Sequence, residues 1–180
     1  MATGNVRGTP GMLPAIMIVA PNSPIARAKP RTAPAASAGD PFDVAAHHAL
    51  AREAATSSAV LLKNDGALLP LDATSGGTVA VIGEFARTPR FQGAGSSQVN
   101  PTQVDNALEA LRTALDGRRE VTFAPGFVIE SDAADPVLVQ EAVTAASTAE
   151  VVVLFLGLPP SHESEGYDRE HMDLPAHQVD

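Results

Sequence analysis

The chain is 180 residues long, which suits one compact domain with a tail better than two large domains. Apolar residues make up 44% and charged ones 18%, but aromatics only 4%, with no Trp and one Tyr, so a core has to be assembled from Ala, Val and Leu. A net charge of −9 argues against surfaces that neutralise phosphates, so neither nucleic acid nor an anionic membrane is expected as a partner; the lack of cysteine excludes disulfides, thiol nucleophiles and thiolate metal sites.

Residues 1–40 hold six prolines and four glycines and carry a net charge of +3, against −12 for the remainder. The apolar run Met12 to Ala20 is broken by Pro14 and falls well short of the roughly 20 residues that a membrane helix needs. Arg7 ahead of that run imitates a signal peptide only loosely, so location stays open, with the cytoplasm favoured over secretion. The stretch from Pro30 to Gly39 has neither helical nor strand periodicity, and its prolines deny both elements. Residues 1–41 are expected to form a disordered leader or linker, with the folded part over 42–180.

Asp43 is a suitable N-cap for a helix from Val44 to Ala55, and the apolar run Ala59 to Lys63 before the turn signal Asn64-Asp65-Gly66 reads as a strand. Thr78 to Ile82 has the pattern of a buried strand ending at Gly83. Thr102 with Asp105 resembles a capping box, opening a helix that carries Val104, Leu108, Leu111 and Leu115 and stops at Gly117. Glu120 to Phe123 supplies another strand, Asp135-Pro136 an N-cap and first-turn proline for a helix through Ala146, and Val151 to Leu156 a last strand that is apolar on both faces. Strands without polar alternation, separated by helices, predict an α/β fold with a mostly parallel sheet between helices. Leu174-Pro175-Ala176 looks like a further helix start close to Asp180, from which a truncated domain is expected.

In a parallel sheet ligands sit beyond the carboxyl ends of the strands, and two unusual loops leave such ends. The first runs from Gly83 to Ser97 and includes Gly93-Ala94-Gly95-Ser96-Ser97, whose amides could face an oxygen-rich ligand. It lacks the lysine of a P-loop and the third glycine of a dinucleotide fingerprint, and plain turn formation is the usual explanation of such a stretch. The second, from Gly157 to Arg169, gathers His162, Glu163, Glu165, Tyr167, Asp168 and Arg169. Two carboxylates in one place allow one to be kept protonated while the other stays ionised, as glycoside hydrolysis requires; the bland reading is a solvated acidic loop tied by Asp168 to Arg169. The donors His162, Glu163, Glu165 and Asp168 match no standard metal spacing, and no metal or cofactor is expected. His47 and His48 are adjacent on a helix and face different ways, so they cannot chelate together.

Taken in order, Ala51 to Pro70, Val79 to Gly83, Gln92 to Ser97, and Glu163-Ser164-Glu165-Gly166-Tyr167-Asp168-Arg169 with Leu174, Pro175 and Gln178 resemble the C-terminal domain of glycoside hydrolase family 3, the β-glucosidase family. The resemblance implies an α/β sandwich that normally follows a (β/α)8 barrel, a site in the cleft between them, and retaining hydrolysis of a β-linked glucoside or oligosaccharide. It further implies that an Asp of the barrel is the nucleophile and that a Glu of the sandwich is the general acid/base. Glu163 best matches that acid/base position, with Glu165 the runner-up, while Gly95, Ser96 and Ser97 would line the cleft near the sugar. Asp168 and Arg169 resemble residues that fix the loop.

Two departures stand out. Nothing in residues 1–41 resembles a barrel, so the barrel nucleophile is expected to be missing, and so is the later part of the sandwich. The resulting expectation is a fragment that carries the acid/base loop and is inactive alone. The alternative is a non-catalytic module that binds sugar or docks to another protein.

Overall fold

The structure is a computed structural model; it describes the backbone of residues 15–19 and residues 43–179 apart from 94, 97, 165, 167 and 168. The described residues fall into two compact units, one within Met1–Ala28, Asp72–Asn100 and Asp105–Asp180, the other within Lys29–Leu71 and Pro101–Val104.

The larger unit is built on a parallel sheet of β1 (Ala15–Val19), β2 (Thr78–Ile82), β3 (Glu120–Ala124) and β4 (Val151–Leu156), in the order β1-β4-β2-β3. Val81 lies opposite Phe123 on one side and Val153 on the other, so β2 and β4 occupy the centre. The expected α/β architecture is therefore present, and its central strands are the unbroken apolar runs. Side chains alternate between the two faces of a strand, so a strand covered on both faces has no position for a polar residue.

Two helices of this unit begin where the sequence supplies caps. α3 (Pro136–Thr148) starts behind Asp135, whose carboxylate accepts the amides of Val137 and Leu138, and Pro136 occupies the first turn. It presents Ala142, Ala145 and Ala146 to Ala80, Ile82, Ala124 and Val152, small side chains that let helix and sheet approach closely. α2 (Ala107–Leu115) buries Leu108 and Leu115 and ends before Gly117, whose φ of +66° suits glycine. The expected start at Thr102 and Asp105 is corrected: Asn106 is the cap, in extended conformation, with its side-chain oxygen accepting the Glu109 amide at 2.9 Å. An extended residue cannot continue a helix upstream, so Val104 is left outside it, 41% exposed.

The smaller unit contains α1 (Val44–Ser57), capped by Asp43 as expected and without a buried residue. Asn64 brackets the following turn through the amide and carbonyl of Leu69. The strand expected at Ala59 to Lys63 is not formed; Val60, Leu61 and Leu62 are exposed. A strand exists only where a neighbour completes its ladder, and among the described residues none pairs with this run.

β1 lies inside the segment expected as leader or linker. Its backbone completes the ladder of β4, from Ala15 opposite Val152 to Val19 opposite Leu156, which outweighs the Pro- and Gly-rich composition around it. The other residues of 1–41 are outside the described ones.

Candidate active site

Both loops of interest leave the carboxyl ends of central strands. β2 ends at Gly83, with φ of +114°, where a Cβ would come within 2.1 Å of the Phe155 carbonyl oxygen; only glycine lets the first loop depart so close to β4. The chain then makes a short turn at Glu84–Ala86 that buries Phe85, which packs on Phe127 at 5.6 Å between ring centres. Glu84 accepts from the Arg87 guanidinium and the Thr88 hydroxyl, fixing the exit of that turn. Further on, Gln92 accepts the Val99 amide at 2.9 Å and closes the stretch that holds Gly95 and Ser96. Gly95 is buried and Ser96 exposed, while Ser97 lies outside the described residues.

The second loop is anchored at several points. Gln178 accepts the Gly157 amide at 3.0 Å, which ties the far end of the segment back to the exit of β4. His162 Nε2 lies 2.5 Å from Asp132 Oδ1, joining it to the loop after β3. Arg90 comes from the first loop: its Nη1 donates to the Leu158 carbonyl at 3.0 Å and to Glu163 Oε2 at 3.3 Å, and its Nη2 donates to the Glu163 carbonyl at 3.3 Å. The two side chains are only 8% and 10% exposed.

This geometry bears on the expected roles. The loops do meet, as their position at the strand ends suggested. Glu163, expected as the acid/base, is a buried partner of Arg90. Glu165, the runner-up, and Asp168 lie outside the described residues, and Arg169 donates to the Asp173 carbonyl at 3.0 Å. Among the described residues no group of three His, Asp or Glu is placed to hold a metal ion.

Beside the second loop a cleft of about 660 Å3 is lined by Asp132, His162, Arg169, Asp173, Leu174 and His177, among others. His177 stacks edge-on to Phe127 at 6.0 Å, and among the described residues neither of its ring nitrogens has a hydrogen-bond partner. Imidazole, guanidinium and carboxylate groups beside an apolar wall can orient a small polar ligand by hydrogen bonds.

Sequence reasoning missed Arg90. It stands 73 residues from Glu163, and the sole signal was charge complementarity between a basic first loop, with Arg87 and Arg90, and an acidic second one.

Residues 59–180 match the model of the glycosyl hydrolase family 3 C-terminal domain. An exo-alpha-(1->6)-L-arabinopyranosidase of Bifidobacterium longum is 48% identical over 145 residues, 77% of this chain and 19% of that protein. The thermostable beta-glucosidase B of Acetivibrio thermocellus is 45% identical over 137 residues, 76% of this chain and 18% of its own length. The crystal structure of a Bifidobacterium adolescentis GH3 beta-glucosidase superposes with a TM-score of 0.69 at 48% identity, covering 80% of this chain and 20% of that one. The chain thus spans about a fifth of the length of the relatives it matches. It belongs to glycosyl hydrolase family 3, and what it carries of that family is C-terminal domain.

Proposed function

We propose that the chain supplies the acid/base half of a retaining glycosidase site of β-glucosidase type, completed by an aspartate nucleophile on a (β/α)8 barrel that is not among these 180 residues. The observation that carries this reading is the Arg90 junction: in a chain of a glycoside hydrolase family, it joins the Gly95–Ser96 loop to the acidic loop at the carboxyl ends of β2 and β4. Two relatives named beta-glucosidase favour a β-linked glucoside or oligosaccharide as substrate. The arabinopyranosidase relative argues that sugar selectivity is set mostly elsewhere in the enzyme.

Of the two candidate glutamates, Glu165 is the proton donor in this proposal and Glu163 holds the loop. A general acid has to reach the leaving oxygen and carry a proton when it arrives. Burial and contact with a guanidinium suit Glu163 to the opposite task, that of holding the loop in place. Glu165 gives its proton to the departing glycosidic oxygen as the barrel aspartate attacks the anomeric carbon. It then removes a proton from the water that releases the sugar, the two carboxyls standing roughly 5–5.5 Å apart as retention requires. Gly95, Ser96 and Ser97 contact the sugar.

The test is hydrolysis of aryl β-glucosides by the chain alone and by the chain joined to the barrel portion of the Bifidobacterium adolescentis relative. Turnover is expected only in the joined form. Within it, Glu165→Ala should slow substrates with poor leaving groups by about 100-fold or more. Activated aryl glucosides should be slowed far less and be rescued by azide. That pattern in Glu163→Ala and not in Glu165→Ala would exchange the two roles. A folded, sugar-binding but inactive joined form would favour the non-catalytic module.

A further inference from the structure

We infer that Arg90 is a positioning residue that sets the geometry of the acid/base loop through Glu163; this rests on the reading above. One guanidinium holds the Leu158 carbonyl, the Glu163 carbonyl and the Glu163 carboxylate, so it fixes both ends of the turn Pro160–His162. Glu163 is two residues from Glu165, so holding its backbone limits where the chain can carry the proposed proton donor. Two further anchors, Gln178 on Gly157 and Asp132 on His162, lie upstream of it. Arg90 stands two residues before Gln92, which closes the stretch around Gly95 and Ser96, so one side chain ties the entry of the sugar-facing loop to the proton-delivering loop.

The planar fork of arginine is what allows three acceptors to be held at once. Lysine carries the same charge as a compact point on a flexible stem and cannot reproduce that fork. Arg90→Lys should keep the fold and the charge while loosening the junction, and a small misplacement of a catalytic group costs far more in rate than in binding.

The experiment has two arms. In the 180-residue chain, amide hydrogen exchange should become about tenfold faster over residues 158–164 and 87–93 in Arg90→Lys, with β2 and β4 unchanged as internal controls. In the barrel-joined enzyme, Arg90→Lys should lower kcat/KM for an alkyl glucoside about tenfold more than for a dinitrophenyl glucoside, because kcat/KM reports formation of the glycosyl-enzyme, a step in which only the former depends on a well-placed acid. A merely structural role would scale both substrates together. Unchanged exchange in Arg90→Lys would overturn the junction itself. Faster exchange with an unaltered ratio between the substrates would overturn the positioning role. If the wild-type joined enzyme hydrolyses neither substrate, the glycosidase reading fails and this role fails with it, while the exchange arm still decides whether Arg90 couples the loops.

Discussion

Arg90 and Glu163 illustrate how burial changes the value of an ion pair. On a surface such a pair contributes up to about 1 kcal/mol, but here both side chains are at least nine-tenths buried. Removing one member takes a buried partner from the other, a change that typically costs about 3–5 kcal/mol. Arg90→Met should cost about that much in denaturant unfolding, and it also strips the Leu158 and Glu163 carbonyls of a donor. Adding Glu163→Leu removes the carboxylate that Arg90 had paired with, so the double variant should be more stable than Arg90→Met alone. If the two losses simply add, the pair is uncoupled and the burial argument fails. Arg119 is a useful contrast. Its guanidinium is 3% exposed, but its acidic partner Glu150 is 55% exposed, so loss of Arg119 leaves that carboxylate in water and forfeits mainly the bonds to Asp72 and Ser75.

The elements were legible to the extent that their causes are local. β2, β3 and β4 are short apolar runs with turn residues after them, and Asp43 and Asp135 announce their helices because a cap needs only the side chain and the first turn. The start of α2 was misjudged by a few residues because Thr102 and Asp105 have the right side chains for capping, and the choice among neighbouring polar residues is made by where the backbone becomes extended. Asn106→Ala tests the corrected start: it should destabilise the larger unit by about 1 kcal/mol in thermal or urea unfolding, whereas Thr102→Ala should have no measurable effect. The expected strand at Ala59 to Lys63 and the unexpected β1 fail for the same reason in opposite directions. Val60, Leu61 and Leu62 have every local qualification and no described partner, whereas Ala15 to Val19 sits among prolines and glycines and has β4. The candidate site divides in the same way. Its two loops could be found from composition, but the contact between Arg90 and Glu163 joins residues 73 apart and left no local trace.

At the scale of the whole molecule, buried arginines serve opposite ends of one sheet. Arg119 binds Asp72, Ser75 and Glu150 at the amino ends of the strands, and Arg90 joins the loops at the carboxyl ends. Between them the strands can be almost wholly apolar because their backbone groups are paired within the sheet, which makes the outer edge of β4 a sensitive place. β4 is Val-Val-Val-Leu-Phe-Leu, and β1 is what pairs with that edge. Unpaired, it would be an apolar template for a strand from another molecule. Deleting residues 1–19 should therefore make the chain self-associate as concentration rises, read by sedimentation velocity against the parent. The double variant Met17→Pro/Ile18→Pro should have the same effect at full length, because successive amides of an edge strand alternate between its neighbour and solvent, so one of the two prolines removes a ladder donor to β4. Should both variants sediment as the parent does, β1 is not what protects β4, and the segment before residue 42 would lose its structural role in the sheet.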